Sequence, residues 1–204
     1  MIGIIDYGSG NITAIVNVLK RQNIEHLVVN SEEGICLADR YILPGVGHFQ
    51  RVIDEIKRRE FFLAFSDAIL NQKKCVLGIC VGMQVFVDYS EEGGAEGLMW
   101  VPGKVKKFSS TAVNRMPHMG WNSISVAHDD HGLFDGVDFE KGFYFLHSYY
   151  YAPPQAACSI ATSYYGEEFC CALTNGENIF GVQFHPEKSH GNGEILFRNF
   201  TEIG

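Results

Sequence analysis

The stretch Cys75-Val76-Leu77-Gly78-Ile79-Cys80-Val81-Gly82-Met83-Gln84 decides how the rest of the chain is read. Its first half is a short apolar run of the kind that fills a buried strand, and its second half opens a helical pattern. Between them lies Gly-x-Cys-x-Gly, with glycines two residues to either side of Cys80. Glycine there permits a sharp strand-to-helix turn that exposes the side chain between. The same steric logic shapes the G-x-S-x-G elbow of hydrolases.

Upstream the same alternation repeats. Ile2 to Asp6 reads as a strand, and Ile12, Ile15, Val16 and Leu19 recur at helical spacing up to about Gln22. Glu25 to Asn30 reads as a second strand. Tyr41 to Leu43 reads as a third, stopped by Pro44-Gly45-Val46-Gly47. Helices are expected over Phe49 to Lys57, Phe61 to Leu70 and Gly82 to Tyr89. Strands alternating with helices of this length predict an α/β fold, a mostly parallel central sheet with helices on both faces. From Gly103 to about Gly181 the pattern changes to a β-rich second half. Short runs fall at 105–108, 123–126, 143–146, 159–163, 170–174 and 179–184, separated by turn signals such as Asn175-Gly176. A last helix over Gly193 to Phe200 closes what reads as one domain over residues 1–204.

Hydrophobic residues make up 46% and charged residues 20% of the chain, a globular balance. The net charge of −8 comes with no basic stripe, so neither nucleic acid nor an anionic membrane is an expected partner. No apolar run reaches the roughly 20 residues of a membrane helix. The start lacks the pattern of a signal peptide, which predicts a cytoplasmic protein. Six cysteines without a C-x-x-C pair or metal spacing predict reduced thiols. Neither a metal nor a cofactor is expected.

Cys80 is then a candidate nucleophile. Its sulfur sits at a predicted helix start, where the dipole favours thiolate, and the following N–H, that of Val81, can serve an oxyanion. The bland alternative is a small buried cysteine at a strand end, and the other five cysteines keep that reading. The candidate base is His185, in Ile179-Phe180-Gly181-Val182-Gln183-Phe184-His185-Pro186-Glu187. In extended backbone residues i and i+2 share a side, so Glu187 can orient the imidazole as the acid of a triad does. His26, His128 and His131 read as structural.

Gly78 to Gln84 and Gly181 to Ser189 (G-V-Q-F-H-P-E-K-S) resemble the nucleophile and triad motifs of class I glutamine amidotransferases. Within them, four further pieces are similar to glutaminase subunits of imidazole glycerol phosphate synthases. They are D-Y-G-S-G-N at 6–11, L-P-G-V-G-H-F at 43–49, P-H-M-G-W-N at 117–122 and H-S-Y at 147–149. The resemblance covers essentially the whole chain. It implies that Cys80, His185 and Glu187 form the triad, and that the N–H groups of Val46 and Val81 make the oxyanion site. Gly47, Gln84, Glu96, Ser148 and Tyr149 would hold glutamine; Asn11, His118, Trp121 and Lys188 would face the partner.

The implied partner is a (β/α)8-barrel cyclase that receives ammonia and makes imidazole glycerol phosphate and an aminoimidazole carboxamide ribotide in histidine biosynthesis. A paralogue feeding an amino-sugar amidotransferase of surface polysaccharide synthesis is the first alternative, raised by Val81 and by Met99-Trp100 after Leu98. A cysteine peptidase or esterase on a similar sheet is the second, and an interaction module with a decayed site the third.

Overall fold

The computed structural model describes residues 1–113, 115–127 and 129–203. In chain order they form β1 (Ile2–Ile5), α1 (Ile12–Arg21), β2 (His26–Val29), α2 (Glu32–Leu37), β3 (Arg40–Gly45), α3 (Phe49–Lys57), α4 (Phe62–Leu70), β4 (Cys75–Cys80) and α5 (Val81–Gln84). There follow β5 (Tyr89–Ser90), β6 (Ala95–Glu96), β7 (Lys104–Lys107), β8 (His118–Asn122), β9 (Ser125–Val126), β10 (Phe143–His147), β11 (Tyr149–Ala152), β12 (Ser159–Tyr165), β13 (Glu167–Thr174), β14 (Ile179–Val182) and α6 (His190–Glu202).

The main sheet runs β2-β1-β3-β4-β14-β13-β11-β7-β5-β6. From β2 to β14 every pairing is parallel, and beyond β14 the pairings are antiparallel except for the short parallel contact of β7 with β5. The two halves of the sequence pattern thus become two halves of one sheet. β14 comes late in the chain but pairs in parallel with β4, so Gly181 lies opposite Gly78 and Val182 opposite Ile79. That crossover brings the segment after Val182 beside the end of β4, at the carboxyl ends of the strands where open α/β sheets gather their sites. β8 and β10 form a separate antiparallel pair, with Tyr144 opposite Trp121 and Leu146 opposite Met119.

The central parallel strands β1, β3, β4 and β14 are buried along almost their whole length, Ile4, Ile42, Leu43, Val76 and Leu77 at 0% exposure, while the edge strand β2 leaves Val28 exposed. Their continuous apolar runs are what a sheet covered on both faces requires. A second core, made of aromatic rings, lies under the β-rich half: Phe143 stacks on Phe184 at 3.9 Å between centroids, and Phe145 and Phe169 meet edge-on.

Several elements differ from the sequence expectation. β3 continues through Pro44 to Gly45, because its partner β4 continues to Cys80 and pairs Gly45 with Cys80. The helix expected from Gly82 to Tyr89 ends at Gln84, since the chain must turn so that Tyr89–Ser90 can pair with β6 and β7. Residues 118–122, just ahead of the β run expected at 123–126, form β8. α2 and β11 went unforeseen. α2 carries Gly34 and Cys36 and no strong apolar stripe, and is started by the Ser31 hydroxyl accepting from Gly34 N–H at 3.3 Å.

Candidate active site

Cys80 ends β4 and begins α5 with φ 55° and ψ −115°, a left-handed φ that costs a non-glycine residue about 1–3 kcal/mol and persists only where packing enforces it. The flanking glycines serve differently from the expected role. Neither Gly78 nor Gly82 is among the positive-φ residues; they supply space. A Cβ on Gly82 would lie 2.0 Å from the Leu43 carbonyl oxygen, and one on Gly78 would lie 2.6 Å from Met83 Cα. Gly45 belongs to the same arrangement, since a Cβ there would stand 2.0 Å from Gly82 N. Glycines on β3, β4 and α5 let three backbones close up, and the strain is concentrated on the cysteine. α5 is a single turn, so the expected dipole reduces to the first N–H groups after the sulfur.

His185 follows β14 and is anchored by its own N–H to the Tyr144 carbonyl at 2.8 Å. Its Nδ1 meets Glu187 Oε1 at 2.9 Å, both side chains almost fully buried. The link does not run through extended backbone as the spacing suggested; Pro186–Lys188 is a 3-10 turn that folds Glu187 back under the imidazole. Burial opposes a charge on His185, but hydrogen bonding to the Cys80 sulfur and to Glu187 outweighs it and raises the imidazole to about 10. Nδ1 is taken by Glu187, which leaves Nε2 for the sulfur. The arrangement is an imidazolium held between a sulfur and a carboxylate, the geometry of a triad nucleophile and its base.

Cys80 and His185 line one cleft of about 160 Å³ with Val46, Gly47, Val81, Gln84, Glu92, Leu146, His147, Ser148, Tyr149 and Lys188. The β3 end is held from the first loop: Tyr7 Oη donates to the Pro44 carbonyl at 2.9 Å and Ser9 Oγ to the Val46 carbonyl at 3.4 Å. Gly47 has φ +100° with open space about its missing side chain.

The family model described as glutamine amidotransferase class-I matches residues 3–203. The chain belongs to the class I glutamine amidotransferases, in the HisH group. It is 44% identical to the imidazole glycerol phosphate synthase subunit HisH of Leptospira interrogans and 42% identical to that of Bdellovibrio bacteriovorus, each match covering 100% of both chains. Among solved structures it superposes on a crystal structure titled glutamine amidotransferase (TM-score 0.74, 16% identity, 98% and 97% of the two chains covered). It also superposes on PurLQS from Thermotoga maritima (TM-score 0.71, 18% identity, 98% and 97% covered). These two likenesses concern the fold.

Most of the residues expected from the amidotransferase motifs converge: Val46, Gly47, Cys80, Val81, Gln84, Ser148, Tyr149, His185 and Lys188 line the cleft, with Glu187 behind His185. Two do not fit their expected roles. Glu96 sits exposed in β6 opposite Tyr89 and does not line the cleft. Glu92, at the tip of the same hairpin, lines it instead, steadied by the Phe49 N–H at 2.8 Å at the start of α3. The hairpin register between β5 and β6 chooses between them, and sequence spacing does not reveal it. His118, expected at the partner surface, is 3% exposed and enclosed by Phe108, Phe145, Tyr165 and Phe169. On β8 it points to the side opposite Met119, which is 65% exposed.

Asn11, expected to face the partner, donates to Glu187 Oε1 at 3.2 Å. Trp121 is 48% exposed and stacks on the His190 ring at 5.3 Å. His26 bonds the Ile24 carbonyl and His131 packs edge-on against Phe180, as structural histidines do; His128 lies outside the described residues.

Proposed function

We infer that this chain is the glutaminase subunit of an imidazole glycerol phosphate synthase, with Cys80, His185 and Glu187 carrying its reaction. One observation carries the reading: the strained Cys80 shares a small cleft with an imidazolium braced by a buried carboxylate, in a chain 44% identical end to end to a HisH subunit. The Cys80 sulfur attacks the carboxamide carbon of glutamine. As the C–N bond breaks, His185 passes its proton to the departing nitrogen, which leaves as ammonia. Water, giving a proton to His185, then attacks the γ-glutamyl thioester; glutamate leaves and the thiolate–imidazolium pair is restored. The N–H of Val81 directly follows the sulfur and serves the oxyanion. That of Val46 joins it when the peptide between Gly45 and Val46 rotates, a movement its glycine neighbours make easy. Glu92 offers its carboxylate to the substrate's α-ammonium, while Gly47, Ser148 and Tyr149 frame the amino-acid end.

The partner is a (β/α)8-barrel cyclase subunit. Its docking surface is the outer face of β8 and β10. There the cross-strand pair Met119 and Leu146 is 65% and 36% exposed, and Trp121 lies alongside. Leu146 also lines the cleft, and Lys188, over the Tyr144 ring at 5.6 Å, lies at its edge. A partner seated on this face covers the mouth of the cleft and receives ammonia before water protonates it. Among the described residues no helix is long and apolar enough to cross a membrane; the substrates are cytoplasmic metabolites, and the cytoplasm is where we place the chain.

Glutamate release by the purified chain, alone and with a barrel cyclase and its phosphoribulosyl-formimino acceptor, tests the reading. Turnover is expected to depend on partner and acceptor. Equal turnover with and without them removes the coupling from the account.

A further inference from the structure

Gln183 lies between β14 and the catalytic histidine with 0% of its surface exposed. Its Nε2 is 3.6 Å from the Cys80 sulfur, and its Oε1 accepts from Gln84 Nε2 at 2.8 Å. Gln84 Nε2 also donates to the Tyr149 carbonyl at 2.9 Å. That carbonyl takes a second bond, 2.8 Å, from His147 Nδ1, and His147 Nε2 lies 2.9 Å from His118 Nδ1. The line ends where His118 Nε2 meets Asn122 Nδ2 at 3.2 Å.

The direction of every bond follows from the Tyr149 carbonyl, which can only accept. His147 therefore carries its proton on Nδ1 and accepts at Nε2, so His118 donates from Nδ1 and accepts from Asn122 at Nε2. Burial pushes His147 down to about 3 and His118 to about 4, which keeps both rings neutral and leaves this one proton arrangement. On the other side, Gln84 must present its nitrogen to the same carbonyl. Its second proton then fixes Oε1 of Gln183 toward Gln84, and the Gln183 N–H toward the sulfur. A flipped Gln183 would set its nitrogen against that of Gln84 and its oxygen against the sulfur.

We propose that Gln183 is a positioning residue for the nucleophile, a neutral N–H donor aimed at the Cys80 sulfur by a hydrogen-bond network whose directions the Tyr149 carbonyl fixes by accepting from both sides. The proposal rests on Cys80 being the nucleophile. When the sulfur is a thiol, its proton has the Leu146 carbonyl as acceptor at 3.9 Å. When it is a thiolate that carbonyl repels it, and the side chains that donate to it are His185 and, from behind the cleft wall, Gln183. Once His185 has given its proton to the leaving nitrogen, Gln183 is the donor whose proton stays in place throughout the cycle.

The charged and titratable groups around the sulfur are His185 with Glu187 behind it, Tyr7, His147 and, across the cleft, Glu92 and Lys188. Changing Gln183 alters none of them, so a change in sulfur behaviour reports the lost donor. The test measures the rate of Cys80 alkylation by iodoacetamide as a function of pH, located by peptide mass spectrometry, in the full chain and in Gln183→Leu and Gln183→Met. Thermal unfolding checks the fold of each. Glutamine turnover is measured in the complex with the barrel cyclase.

Gln183→Met keeps the length of the side chain and its lack of charge but has no N–H to give to the sulfur. If Gln183 matters only for packing, this variant behaves as the parent and only Gln183→Leu suffers. The donor role predicts that both variants move the alkylation midpoint up by about one pH unit, a tenfold lower rate below it. kcat then falls about tenfold with glutamine KM within about twofold. Parent-like profiles in folded Gln183→Met overturn the proposal even if Gln183→Leu does not fold. Failure of the underlying reading looks different: Cys80 of the parent chain is then not alkylated ahead of the other cysteines, and Cys80→Ala still releases glutamate.

Discussion

Asn11, in the first loop of the chain, donates to the same oxygen of Glu187 that holds His185, at 3.2 Å beside the 2.9 Å contact of the imidazole. The loop that opens the fold therefore reaches the catalytic acid across 176 residues of sequence. Through Ser9 the same loop also holds the carbonyl of Val46. One short segment braces both sides of the cleft.

Replacing the carboxylate should be far more damaging than replacing its neighbour. Glu187→Gln keeps the shape but no longer stabilises imidazolium, and a fall in kcat of roughly three to four orders of magnitude is expected, by analogy with the acid of serine-protease triads. Asn11→Leu leaves the carboxylate in place and should lower kcat only about tenfold. Steady-state glutamate release at saturating partner measures both. Equal losses would mean that the brace and the acid act as one unit.

The crowding around the elbow predicts that glycine cannot be replaced there. Gly82→Ala puts a carbon 2.0 Å from the Leu43 carbonyl, and the forced shift of β3 against α5 should cost about 1–3 kcal/mol. Because β3 carries the oxyanion segment, kcat should fall more than tenfold as well. Denaturant unfolding together with turnover checks this; a stable, active Gly82→Ala would refute the tight approach.

Much of this arrangement was legible in the sequence, and the failures have physical causes. Apolar runs and glycine punctuation located β1, β3, β4, β14 and α3, because buried parallel strands and an amphipathic helix impose their periodicity on the residues themselves. The extent of α5 was missed because the pairing of Tyr89 with distant Glu96 overrides a local helical pattern. That Glu92 and not Glu96 lines the cleft depends on which residue of the hairpin turns inward, which sequence spacing does not carry. His118 was placed on the surface by motif likeness, and only the alternation of β8 shows that it points into the aromatic core. Chemistry concentrated in contiguous motifs can be read from sequence; contacts made by register and long-range pairing cannot.

The buried histidines make stability fall in acid. His118 and His147 are held by burial at about 4 and about 3, whereas the unfolded chain binds protons on both near pH 6.5. Their contribution is therefore whole above about pH 6.5 and is lost as pH falls from there toward 4 and 3. His185 has the opposite sign. Raised to about 10 by Cys80 and Glu187 against burial, it stabilises fully below about pH 6.5 and loses that contribution as pH rises through 10. Urea midpoints across pH should show both limbs, and His118→Phe, which suits the aromatic cage, should flatten the acid one. An acid limb unchanged in that variant would place its origin elsewhere.

Trp121 separates docking from folding. Nearly half exposed in the isolated chain, it should contribute to the partner interface as aromatic anchors do. Trp121→Ala is expected to weaken the complex by about 2 kcal/mol, roughly thirtyfold in Kd. The unfolding free energy of the chain alone should change by about 0.5 kcal/mol or less. Titration calorimetry with the barrel subunit, beside unfolding of each variant alone, distinguishes the two effects.

The most direct test of the central claim is to trap the covalent intermediate. The complex is mixed with isotopically labelled glutamine, quenched in acid within a turnover and digested for mass spectrometry. One γ-glutamyl group is expected on the peptide containing Cys80, absent in Cys80→Ala, which should release no glutamate. A γ-glutamyl group on another residue, or undiminished glutamate release by Cys80→Ala, would contradict that claim.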